Sequence, residues 1–177
     1  MTKSMWENIL NGMDVDTSMC DISPADQKQL DDFEIQSGVK LPQSYRTFCT
    51  VFGAGELSEC YRITVPGYSG EAAFVDLHNL NSEMHVGLEW EEYSPDPKQF
   101  QRAIIFANDV ARNIYFWDPS ELTDAATSEY GFYVKHEDWE TKRLADTFWD
   151  LVNEVWLGER HVELFNDEPQ HCFQPAM

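Results

Sequence analysis

The chain has 177 residues, of which 42% are hydrophobic and 14% aromatic, enough apolar surface for one core with an added tail; this composition excludes a wholly disordered chain. Its 32 acidic and 12 basic side chains give a net charge of −20, which repels phosphate backbones and anionic lipid and so argues against direct binding of nucleic acid or membrane. The same charge attracts cationic protein surfaces, and it also keeps a protein soluble; both readings stand at this point.

Trp6, Ile9, Leu10 and Met13 recur at helical spacing, predicting a first helix that docks on the main body ahead of a polar loop, "DVDTSMCD". In "DISPADQKQLDDFEIQSG", Ser23 is placed to cap a second helix, with Pro24 at its first position, Asp26 completing a capping-box-like pattern and Gly38 as its stop. After Leu41 and Pro42, the residues Tyr45, Phe48, Cys49 and Phe52 fall on one face of a third, short helix, with Gly53 and Gly55 ending it. A helix this short is marginal alone, so its aromatic face needs a broad surface to cover it.

That surface is read as a sheet. "YRITV" alternates Tyr61, Ile63 and Val65 on one side, and "AAFVDLHNL" offers a further strand. "SEMHVGLEWEEYSPDPKQF" is polar and holds two prolines, so it reads as a long excursion. "RAIIFAND", "VARNIYFWDP" and "YGFYVKHED" follow as strands, the first two a hairpin closed near Asn108 to Asn113. "TKRLADTFWDLVNEVWLG" reads as a closing helix with Leu144, Phe148, Leu151, Val152 and Val155 on one face and Gly158 as its stop, and the chain from Asn166 is polar and expected to be loose. The order helix, helix, strands, helix with short turns predicts an α+β domain: a mainly antiparallel sheet packed with N-terminal and C-terminal helices. The expected division is an N-terminal helix extension over 1–20, one domain over 21–165 and a flexible tail over 166–177.

Three segments carry a resemblance to a known family. "ISPADQKQLDDFEIQSGVKLPQSYRTFCTVFGAG", "AIIFANDVARNIYFWDP" and "LADTFWDLVNEV" are similar, in that order, to the signatures of the SUKH superfamily in its Smi/Knr branch. The matching positions are Glu34, Gly38, Leu41, Pro42, Tyr45, Phe48, Gly53 and Gly55, then Phe106, Asp109 and Asp118, then Ala145 and Phe148. Two positions depart from the pattern: Val110 stands where the family often has glycine, and Phe52 where it usually has asparagine. The resemblance implies a SUKH-like fold and an immunity protein that binds a bacterial toxin domain. Because the family also includes a fungal regulator of cell-wall synthesis, it leaves a regulatory scaffold as the alternative.

No nucleophile or phosphate-binding motif is present, and the histidines at 78, 85, 136, 161 and 171 have no metal-ligand spacing with the cysteines at 20, 49, 60 and 172, which read as reduced thiols. A metal-dependent hydrolase built on His85, Glu89, Glu91 and Glu92 is the enzymatic alternative; solvated acids are the simpler reading. No catalytic residue, metal or cofactor is expected. Partner contact is assigned to Glu89, Trp90, Glu91, Glu92 and Tyr93, an aromatic pair ringed by charge, and to Asp109, Trp117 and Asp118 at the hairpin. Two local readings compete with this: Trp90 and Tyr93 folding back on the core, and Asp109 and Asp118 serving turn chemistry. The N-terminal "MTKSMWENILNGM" has no long apolar run and no window reaches the roughly 18 apolar residues of a membrane span, so a cytoplasmic protein is expected. The expected partner is a basic toxin domain.

Overall fold

The computed structural model describes residues 1–70, 76–87, 97–136 and 141–177. In chain order its elements are α1 (Lys3–Asn11), β1 (Asp14–Val15), α2 (Gln27–Ser37), α3 (Gln43–Cys49), β2 (Gly55–Leu57), β3 (Tyr61–Ile63), α4 (Leu77–Gly87), α5 (Pro97–Arg102), β4 (Ile104–Asp109), β5 (Ile114–Asp124), β6 (Glu129–Lys135), β7 (Thr141–Ala145), α6 (Phe148–Asp150) and β8 (Cys172–Pro175). The eight strands form one sheet in the order β1-β8-β2-β3-β4-β5-β6-β7. Every pair is antiparallel except β1 with β8, so the α+β architecture read from the sequence is the observed one.

One face of the sheet carries the main core. Trp6 of α1 is fully buried, its indole donates to the Ser44 carbonyl at 3.1 Å, and its ring meets Phe48 edge-on at 5.3 Å. Tyr45, Phe48, Cys49 and Phe52 are all fully buried, as their helical spacing predicts, and Phe48 stacks on Phe52 at 4.5 Å. α3 has only seven residues, and Pro42 before it supplies no side-chain cap. The cap comes from the sheet: the Glu129 carboxylate of β6 accepts the Ser44 amide and the Ser44 hydroxyl, both at 2.7 Å.

Gly53 has φ +71°, and a Cβ there would stand 2.1 Å from the Ser23 carbonyl oxygen, so only glycine permits the bridge between these two residues. That bridge corrects the expected helix start. Ser23 lies on the bridge to Gly53, and the α2 cap is Asp26, which accepts from the Gln29 amide while the Gln29 side chain accepts from the Asp26 amide, both at 2.8 Å. A complete D-x-x-Q box outcompetes the partial box starting at Ser23. The stop is as expected: Gly38 is left-handed at φ 70°, its N–H bonded to Glu34.

Four further segments differ from expectation. Of the stretch expected as a strand over 72–80, residues 72–75 lie outside the described residues and the rest holds the start of α4: Asp76 accepts the His78 and Asn79 amides at 3.1 and 3.3 Å and so caps a helix. The excursion over 82–100 includes the end of α4 and the start of α5, which opens on Pro97. In the expected closing helix, Thr141–Ala145 is the edge strand β7, because Thr147 caps the helix at the Asp150 amide (3.0 Å) and fixes its start at Phe148. From Leu151 to Trp156 that helix widens to a π-helix, with Leu157 N–H bonded to Val152, which turns Leu151, Val152, Val155 and Trp156 inward together. Finally, the tail expected to be loose supplies β8, inserted between β1 and β2 with Phe173 buried against Phe52 at 5.1 Å.

The second face is covered in part. Phe100 and Ala103 at the end of α5, with Leu80 of α4, pack on Ile105, Phe116 and Tyr133. Two polar clamps fix this cover. The Asn81 amide donates to the Ile105 carbonyl and accepts the Ile105 N–H, both at 2.8 Å, and Arg102 forks onto Asp118 at 2.8 and 2.7 Å.

Candidate partner-binding surface

The expected contact residues divide into two groups. Glu89, Trp90, Glu91, Glu92 and Tyr93 lie outside the described residues. Asp109, Trp117 and Asp118 are described, and all three are buried. Asp109 closes the β4–β5 hairpin: one carboxylate oxygen accepts the Ala111 and Asn113 amides at 2.9 Å each, and the other accepts the Asn113 side chain and the Tyr115 hydroxyl at 2.9 and 2.8 Å. Its acceptor directions are taken up by the turn, which is the turn chemistry weighed against contact.

Trp117 packs among Tyr45, Phe106 and Phe132, and its indole N–H has no acceptor among the described residues. Asp118 takes the Arg102 fork together with the Ser120 amide and hydroxyl. Burial pushes its carboxyl up, but the Arg102 and Ser120 donors outweigh that, holding it below the usual carboxylate range. Side chains so enclosed cannot reach an external partner; they shape the hairpin and hold α5.

Burial, with the carboxylates of Asp167 and Asp109 next in weight, pushes Cys60 up to about 11, and burial followed by Glu59 raises Cys172. His161 is buried, with Nδ1 2.9 Å from the Tyr61 hydroxyl and 3.1 Å from the Trp156 carbonyl, packed beside Phe165. Among the described residues no three His, Cys, Asp or Glu side chains converge to hold a metal. No helix among them is long and apolar enough to cross a membrane.

The surface feature that the sequence did not disclose lies at the β1 end of the sheet. Strand register puts Gln174, Glu56, Arg62 and Asn108 in one row across β8, β2, β3 and β4, on the face opposite the main core. No described helix covers this half: Arg62, Asn108 and Gln174 are exposed, and Arg62 meets Glu56 at 2.9 Å. Beside the row a cleft of about 380 Å³ is lined by Asp14, Asp16, Glu56 and Glu59, with Val15 and Phe173 among its walls. Glu59 is held there by a two-residue turn in which Ser58 and Glu59 are both left-handed, at φ 57° and 54°. The turn is fastened to β8 through Ser58 N–H to the Cys172 carbonyl at 3.0 Å.

A family model, SMI1 / KNR4 family (SUKH-1), matches residues 24–154. A comparison with curated proteins gives no match. The matched span runs from just before α2 into the π-helical segment, and α1, β1 and β8 fall outside it.

Proposed function

The chain belongs to the SMI1 / KNR4 family (SUKH-1), and from that premise we propose that it is an immunity-type protein, which binds a cognate bacterial toxin domain in the cytoplasm and neutralises it by steric and electrostatic occlusion. The observation that carries this reading is the net charge of −20 on a scaffold of this family. A toxin that works on nucleic acid presents a cationic active surface, and an acidic protein both finds that surface quickly and covers it. The mechanism needs no covalent step. Rigid placement is enough, and the two clamps at Asn81 and Arg102, with the Glu129 cap on α3, provide a scaffold that keeps its shape when loaded. Glu89, Trp90, Glu91, Glu92 and Tyr93 belong to this proposal as contact residues on the sequence argument alone: acids that set the on-rate around an aromatic anchor that sets the off-rate.

Co-expression tests it. Sensitive cells producing a basic toxin domain encoded beside this chain survive only when this protein is present, and the purified pair forms a one-to-one complex whose association slows steeply with salt. Soluble expression without rescue overturns immunity. That outcome favours the second reading, a regulatory scaffold for a cell-wall-synthesis enzyme, which rests on the SMI1 / KNR4 branch of the family match.

A further inference from the structure

We propose that β8 is an exchangeable strand: the slot it fills between β1 and β2 receives the β8 of a second copy of this chain, giving a two-fold symmetric dimer. The inference does not depend on the toxin-binding reading.

The slot is shaped for this strand. The backbone of Gly55 on β2 is not left-handed, so its own conformation does not call for glycine. What calls for it is β8: a Cβ at Gly55 would stand 2.3 Å from the Phe173 ring and 2.6 Å from the Gln174 carbonyl oxygen. Phe52 meets the same ring at 5.1 Å, and Leu57 faces Phe173 across the strand pair. Gly55, Phe52 and Leu57 lie inside the span matched by the family model, whereas β1 and β8 lie outside it. The common scaffold thus supplies a receiving edge, and the strand that fills it is an addition.

The contacts are of the kind by which strands are taken up in trans, a main-chain ladder with an aromatic ring in a pocket. Ser58 N–H to the Cys172 carbonyl (3.0 Å), Asp16 N–H to the Phe173 carbonyl (3.1 Å) and Ala176 N–H to the Ala54 carbonyl (3.0 Å) fasten the strand, and Phe173 is its fully buried aromatic. Because β1 and β2 both bond to it, an arriving β8 is held along two edges rather than one.

The connection gives the strand reach. Phe165 packs on Tyr61 and stacks on the buried His161, which holds the chain to the body as far as residue 165. Residues 166–171 form no helix or strand, and Asn166, Asp167, Glu168, Gln170 and His171 are exposed. Extended at roughly 3.3–3.6 Å per residue, this stretch spans about 20 Å, enough to carry β8 to an adjacent copy. Exchange regains in the dimer every contact that β8 makes in the closed chain, so concentration and hinge strain decide between the two forms.

The test mixes two full-length variants, each impaired in one half of the fit. Phe173→Ala keeps the slot and lacks the ring, whereas Gly55→Ala keeps the ring and blocks the slot. The mixture is expected to form a one-to-one complex of about twice the monomer mass in light scattering, because the Phe173 strand of one variant enters the Gly55 slot of the other. That complex is expected to unfold at a higher temperature than either variant alone. A mixture whose mass and unfolding temperature match those of the separate variants overturns the proposal. If either variant fails to fold, the parent protein decides. Concentrated near its unfolding midpoint and returned to native conditions, it is expected to yield a dimer that reverts slowly on dilution, with amide signals changed at 166–171 and retained at 55–57 and 172–174. Return as monomer alone, or a dimer whose altered signals lie outside the hinge, overturns the exchange.

Discussion

Glu129 on β6 accepts both the amide and the hydroxyl of Ser44 on α3, each at 2.7 Å, and the Ser44 hydroxyl oxygen accepts the Phe148 amide at the start of α6. One buried carboxylate thus joins the sheet to two helices that carry the aromatic core. Burial is the dominant influence on Glu129 and raises its pKa, with the Ser44 donors opposing it. A carboxyl raised on folding binds its proton more tightly folded than unfolded, so its contribution is greatest at low pH and declines as pH rises from the ordinary carboxylate range through the folded value. Glu129→Gln keeps an acceptor for the Ser44 amide and removes the titration. Unfolding measured between acid and neutral pH is expected to show the parent losing stability relative to this variant as pH rises; a constant difference contradicts the assignment. Glu129→Ala, which strands the Ser44 donors, is expected to cost about 1–3 kcal/mol.

The Arg102–Asp118 fork gives the opposite pH dependence. Asp118 is fully buried and held below the usual carboxylate range, so its contribution is present at neutral pH and lost as pH falls through that depressed value. Arg102→Ala leaves a buried carboxylate without its counter-charge and is expected to cost about 3–5 kcal/mol at pH 7. Asp118→Asn costs less, because the Arg102 side chain is more than a third exposed and its guanidinium can be hydrated. Chemical denaturation at neutral and acid pH reads both the order and the closing of the gap.

Gly53 tests the left-handed bridge. Gly53→Ala meets strain at φ +71° and a collision with the Ser23 carbonyl, and is expected to destabilise by about 1–3 kcal/mol or more. Gly38→Ala is left-handed as well but has open space around its Cβ position, so it measures backbone strain without a clash and is expected to cost less. Equal losses in thermal unfolding contradict the clash.

Local pattern made much of this fold legible. The face formed by Tyr45, Phe48, Cys49 and Phe52, the stop at Gly38 and the Asp109 turn are short-range devices, written within a few residues of one another. α4 was obscured because its decisive signal is the single cap at Asp76, next to a run rich in strand formers. The Glu129 cap on α3 has no local signature, since it joins residues far apart in the chain. The acidic recess was illegible for the same reason: Asp14, Glu56 and Glu59 are scattered acids until β8 enters between β1 and β2. Burial of Trp117 among Tyr45, Phe106 and Phe132 is likewise a long-range outcome that its neighbours in sequence do not announce.

Phe173 decides between a loose tail and an integral strand. Its ring is buried against Phe52, Asp16 N–H bonds its carbonyl at 3.1 Å, and Leu57 faces it across β2 and β8. Phe173→Ala is therefore expected to cost about 3–5 kcal/mol, as buried aromatic truncations do, whereas a change near zero would return residues 172–175 to the status of a tail. The same substitution loosens β8, the strand that lies between β1 and β2. Phe48→Ala is expected to cost a similar amount, because its ring is equally buried in the same core.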